Sequence, residues 1–90
     1  VSVDDPSVDL GIALALASAK LDIPIPESFC AWGEVGLAGE LRPVSLVTQR
    51  IKEATRLGFK TIIIPAGGTE VSGPGIIRCK TLREALEKIR

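Results

Sequence analysis

The chain contains no histidine, no methionine and no tyrosine, and its aromatic residues are Phe29, Trp32 and Phe59 alone. Without histidine these residues cannot supply a Ser-His-Asp triad, in which an imidazole takes the nucleophile's proton. Cys30 and Cys79 stand far apart and outside any Cys-x-x-Cys pair. A structural zinc ion takes about four ligands, so the supply of cysteine and histidine argues against one. The two cysteines read as reduced thiols of a cytoplasmic protein. Net charge is absent as well, because eleven acidic and eleven basic residues cancel. No strong overall field then draws the chain onto nucleic acid or anionic lipid, although a neutral domain can still carry a local basic face. The apolar run "LGIALALASA" is too short to span a bilayer, and the acidic start carries no secretory signal. No initiator methionine opens the chain, which reads as a piece of something longer.

What is present has the balance of a globular domain, with 46% apolar and 24% charged residues. Ninety residues fit one domain with a modest core built from Leu, Ile, Val and Ala. "VSV" at 1–3 reads as the end of a strand. Asp5 offers an N-cap oxygen, and Pro6 suits the first helical position, where its missing N–H is harmless. The helix this opens should run to about Leu21; it is apolar on most sides and is expected to be buried. "DIPIPES" is a connection, "FCAWGEV" (29–35) a strand, "GLAGE" a turn and "LRPV" a second extended piece. Ser45 can cap a helix from Leu46 to Leu57, in which Val47, Ile51 and Ala54 recur at helical spacing, with Gly58 to end it. "KTIIIP" and "IIRC" are short strands on either side of the loop "AGGTEVSGPG". Thr81 and Glu84 form a capping box that opens a last helix to Arg90. Strands alternating with helices at these lengths predict an α+β fold of α/β layers.

Three features could carry chemistry. Ser7 lies just after Asp-Pro at the mouth of the first helix, but a serine hydroxyl is a weak nucleophile until a base removes its proton. A lysine lowered toward neutrality by burial could serve. The plainer reading makes Ser7 a first-turn residue beside unpaired helix N–H groups, with Asp9 complementing the helix dipole. The glycines of the 66–75 loop could cradle phosphate, yet neither GxxxxGK[ST] nor GxGxxG occurs, and a surface loop is the better reading. Arg50, Lys52 and Arg56 on the second helix, with Arg42 before it and Lys60 after it, could meet phosphates. They are spread over the polar sides of the helix, and no aromatic residues interleave with them for base stacking.

The run "GEVGLAGELRPVSLVTQRIKEATRLGFKTIIIP" is the most informative stretch. It resembles the C-terminal domain of the bacterial RadA (Sms) family of DNA repair proteins, a domain itself similar to the proteolytic domain of Lon protease. The resemblance extends from "DDPSVDLGIALALAS" through "KTIIIP". It implies a Lon proteolytic-domain-like fold, of the ribosomal protein S5 domain 2-like type. Residues 1–90 would then form a single domain, truncated of its N-terminal strands. Lon peptidases use a serine in a Gly-Pro-Ser stretch and a lysine on a later helix. Asp5, Pro6 and Ser7 fall on that stretch, so Ser7 matches the nucleophile. An ungapped match from Pro43 to Gly58 puts Thr48 where the lysine belongs, while Ser45 and Leu46 replace the two-glycine turn and Asp9 replaces a glycine. Lys52 lies one helical turn further on, roughly 6 Å along the axis and rotated about 40°. Proton transfer needs heavy atoms about 2.6–3.2 Å apart, so a rigid helix does not bring Lys52 into the lysine's place.

The resemblance therefore implies a non-proteolytic domain with no catalytic residue of its own. It would serve a homo-oligomeric ring and contact DNA in a repair and recombination ATPase that promotes branch migration, with Arg42, Arg50, Lys52, Arg56 and Lys60 as the DNA-contact candidates. ATP, Mg and Zn are expected in other parts of such a chain and none in these residues; no membrane partner is expected. The alternative is a serine peptidase of Lon type with an altered dyad.

Overall fold

The computed structural model describes residues 6–68 and 71–89. The expected strand at 1–3 and the Asp5 cap lie outside the described residues. Pro6–Val8 form a single 3-10 turn, and helix α1 (Asp9–Leu21) starts from it, three residues later than Pro6 suggested. Helix α1 stops where Asp22 turns left-handed and its N–H reaches the Ser18 carbonyl.

The stretch expected as one strand over 29–35 is two. Strand β1 (Phe29–Ala31) and strand β2 (Glu34–Val35) belong to different sheets. Gly33 marks the break: it donates its N–H to the Ser7 carbonyl at 3.0 Å, and its own carbonyl accepts the Leu10 N–H at 2.9 Å. The backbone there bonds to the helix entrance instead of to a strand. Strand β2 then pairs antiparallel with β3 (Leu41–Arg42), Val35 opposite Leu41 and Glu34 opposite Arg42.

Helix α2 (Val47–Arg56) follows, then β4 (Thr61–Pro65), β5 (Ile76–Cys79) and helix α3 (Leu82–Ile89). Ser45 does not cap α2. Leu46 holds the cap position in the left-handed region with no side-chain bond, and the Ser45 carbonyl instead accepts the Arg50 Nε–H at 3.0 Å. The other end matches expectation: the N–H of Phe59 reaches Ala54 and that of left-handed Gly58 reaches Thr55, the paired bonds of a Schellman stop. At α3 the Glu84 N–H reaches Thr81 Oγ1 at 3.1 Å, half of the capping box. The Glu84 carboxylate takes the N–H of Lys80 at 2.6 Å, one residue before the cap.

Strands β1, β4 and β5 form a parallel sheet in the order β1-β4-β5. Side chains alternate across it, as the period of two requires. Ile63 and Cys79 join Leu10 and Leu14 of α1 and Ala85 and Ile89 of α3 on one face. Ile62 and Ile64 meet Val47 and Ala54 of α2 on the other, beside Trp32 and Phe59. The result is an α+β domain of three layers, with β4 buried on both faces. Full burial of an aliphatic side chain contributes about 1.5–3 kcal/mol, and Leu10, Leu14, Ile63 and Ile64 are essentially inaccessible to water. Helix α1 itself is not buried all round: Leu10, Leu14 and Ser18 turn inward while Ile12 and Leu16 face solvent. Among the described residues, the three-strand sheet and α3 cover one flank of the helix, and the opposite flank is exposed.

Candidate functional site

Ser7 sits in the 3-10 turn where the chain enters α1, and it is 3% exposed. Its carbonyl is held by Gly33. A Cβ added at Gly33 would lie 3.2 Å from Pro65 Cγ and 3.4 Å from Leu10 Cδ2, so this corner is filled by packed carbon. A nucleophile must meet its substrate, and the Ser7 hydroxyl is enclosed beside the sheet end. Thr48 lies in the first turn of α2 on an exposed position. One surface depression is lined by Ser18, Ala19, Asp22, Ile23, Pro24 and Ile25, and another by Ala17, Ala38, Gly39, Leu82 and Leu86 among others. Neither includes Ser7 or Thr48.

Asp9 has a role that its sequence position does not disclose. Its Oδ2 accepts the N–H of Val35 at 3.3 Å, which ties the start of α1 to the β2–β3 hairpin 26 residues away. Nothing local to Asp9 signals that bond.

The basic residues separate into two groups along the chain. Arg42 ends β3, ahead of α2, and Arg50 lies in the first half of α2. The Arg42 guanidinium reaches Glu40 Oε2 at 3.1 Å and Glu34 Oε1 at 3.8 Å, so two carboxylates already surround it. The Glu40 carboxyl is held below its usual range first by its own backbone N–H, then by Arg42 and the Ala38 N–H. Arg56 ends α2 and Lys60 follows it, with Lys52 one turn inside. Arg56 pairs with Glu53. Lys52 and Lys60 are exposed and have no ion-pair partner among the described residues. At 100° per residue Lys52 and Arg56 are about 40° apart around α2, and Arg50 is about 160° from Lys52. The five candidates thus do not share one face.

Cys79 is buried, and burial pushes its thiol up to about 11, with Glu84 adding to the rise and Lys88 opposing it. Cys30 is half-buried, and burial raises its thiol too. Both are free thiols. Among the described residues no group of three or more His, Cys, Asp or Glu side chains could hold a metal ion. Nor does any helix among them have the length and apolar character to cross a membrane.

Comparison with known proteins places this geometry. The profile of the family described as subunit ChlI of Mg-chelatase matches residues 2–68, well over half of the chain. The chain belongs to that family. Its relatives include the DNA repair protein RadA of Mycolicibacterium smegmatis, 46% identical over 96% of this chain. RadA of Bacillus subtilis is also 46% identical over 96%, and RadA of Escherichia coli 42% over 96%. The resemblance to the RadA family therefore holds along nearly the whole length, the 66–75 loop and last helix included. The chain spans about a fifth of the length of the curated relatives it matches.

Proposed function

We propose that this chain is the non-proteolytic, Lon-like C-terminal domain of a cytoplasmic RadA-type DNA repair protein, where it serves ring assembly and DNA contact. The observation that supports the non-proteolytic part is the burial of Ser7, only 3% exposed, together with an exposed Thr48 at the position that the resemblance matches to the lysine. A serine must reach its substrate to act as a nucleophile, and burial withholds the Ser7 hydroxyl from one. The Lon-like fold would be completed by strands from elsewhere in the parent protein, pairing with the free edge of β1, which bonds only to β4 among the described residues. ATP, Mg and Zn chemistry belongs, on this reading, to other parts of that protein, as the resemblance to RadA implies.

For DNA contact, Lys52 and Lys60 are the stronger candidates, being exposed cations without carboxylate partners among the described residues. Arg56, Arg50 and Arg42 must give up or share existing bonds to reach a phosphate. The test is DNA affinity of the full-length protein against salt, with Lys52 and Lys60 replaced by Ala, and then with all five basic residues replaced. Each lost phosphate contact should reduce the slope of log affinity against log salt by roughly one. Unchanged affinity and slope after all five replacements would remove DNA contact from this domain. The peptidase alternative predicts labelling of Ser7 by a serine-reactive probe, abolished by Ser7→Ala; no labelling is expected.

A further inference from the structure

The outward faces of α2 and α3 are built differently. Helix α2 turns Val47, Ile51 and Ala54 to the sheet and leaves Thr48, Gln49, Lys52, Glu53, Thr55 and Arg56 exposed. At 100° per residue Thr55, Thr48, Lys52, Arg56 and Gln49 fall in that order within about 120° of the helix. Glu53 lies about 40° beyond Gln49, at the edge of the arc. Thr48, Lys52 and Arg56 follow one another at intervals of about 6 Å along the axis. On α3 the exposed charges interleave both signs, as Arg83, Glu87 and Lys88.

Every side chain within the α2 arc can donate a hydrogen bond, and none is an anion. Those of Thr48, Gln49, Lys52 and Thr55 make no hydrogen bond or ion pair among the described residues. Arg56 meets Glu53 through Nε and Nη2, which leaves the two donors of Nη1 uncommitted among those residues. The threonines do not serve the helix itself. Threonine is a weaker helix former than Lys, Glu or Gln, and these two are neither caps nor buried. An apolar partner would bury the donors of this face unpaired, which is costly.

A row of negatively charged acceptors satisfies them all. The phosphodiester backbone of DNA is such a row, and protein contacts to it come from Thr and Gln as well as from Lys and Arg. No aromatic residue stands on the face to stack with a base. We propose that the Thr48–Lys52–Arg56 row of α2, flanked by Gln49 and Thr55, is the phosphate-backbone contact of this domain, made without regard to base sequence. The inference rests on the DNA-contact reading above and narrows it to one face, from which Arg42 and Arg50 are left out.

The charged and uncharged contacts separate in a salt titration of DNA affinity, measured by fluorescence anisotropy of a labelled duplex with the full-length protein. Only the charged contacts release counterions. Lys52→Gln with Arg56→Gln should therefore reduce the slope of log affinity against log salt by roughly two. Thr48→Val with Thr55→Val keeps the β-branched shape and removes both hydroxyls. That pair should weaken binding roughly three- to tenfold at every salt concentration and leave the slope as it is. Arg83→Gln with Lys88→Gln takes the same charge from α3, across the sheet from α2, and should not change the slope. Circular dichroism and melting check that each variant stays folded, and two duplexes of unrelated sequence should bind alike. Equal slope losses from the α2 and α3 pairs, or an unchanged affinity in the valine pair, would overturn the proposal. If replacing all five basic residues lowers the slope but the Lys52 and Arg56 pair does not, DNA contact stands and this face is not its seat. If the five-residue variant is indifferent as well, the DNA-contact reading and the proposal fall together. A changed sedimentation mass with DNA affinity intact would give the face to a protein partner instead.

Discussion

A methyl group added at Gly75 would lie 2.0 Å from the carbonyl oxygen of Lys60, and the residue has φ +78°. The obstacle is backbone at the entrance to β5, where the Gly75 carbonyl also accepts the Ile62 N–H at 2.8 Å. Gly58 has φ +94° but open space around its would-be Cβ. Gly75→Ala should therefore destabilise by more than ~3 kcal/mol, and Gly58→Ala by about 1–2 kcal/mol, the left-handed penalty alone. Urea denaturation of the two variants measures the difference. Cys79 supports a second prediction. Burial pushes its thiol up from 9.0 to about 11 in the fold, so the native state holds that proton more tightly than the unfolded chain. The stabilisation this linkage provides is complete below pH 9 and disappears as pH rises toward 11. The melting temperature should fall over that window in the wild type and fall less in Cys79→Ala, which starts lower. Alkylation of Cys79 at neutral pH should wait for unfolding.

At the scale of elements, the helix ends show which local signals hold. Thr81 keeps its cap because α3 begins directly after the Glu40–Thr81 bridge, which fixes the backbone that the hydroxyl needs. Thr81→Ala should cost about 1 kcal/mol and Thr81→Ser much less, read by thermal denaturation. Ser45 carries the same kind of side chain and does no capping. The chain enters α2 through left-handed Leu46, which turns the backbone so that the Ser45 carbonyl, not its hydroxyl, meets the helix at Arg50. Helix α1 shows the opposite case, an element whose existence was plain and whose surroundings were not. Apolar residues on nearly every side forecast burial, but only Leu10, Leu14 and Ser18 found the core.

Across the whole molecule, β4 joins the two cores, sending Ile63 to the α1–α3 side and Ile62 and Ile64 to the α2 side. Layers that share one fully buried strand should melt together. Ile63→Ala removes a side chain with no exposure and should cost about 2–5 kcal/mol. Trp32 lies on the opposite face of the sheet. Its fluorescence should nevertheless shift with the helical circular dichroism signal in one transition, and separate midpoints would show that the layers unfold independently.

The sequence by itself determined the order of helices and short strands, the glycine stop after α2, the cap of α3 and the two-faced burial of "TIIIP". These are local matters, decided by turn chemistry and by periods of two and 3.6 residues. The "GEVGLAGELRPV" stretch also sufficed for the family. Only the tertiary structure decided that 29–35 divides between two sheets, because the bonds of Gly33 go to Ser7 and Leu10, partners more than twenty residues back in the chain. The same holds for the burial of Ser7, the tie from Asp9 to Val35, the carboxylates around Arg42 and the exposed flank of α1. Each depends on which distant backbone or side chain arrives alongside, and spacing along a chain does not encode that.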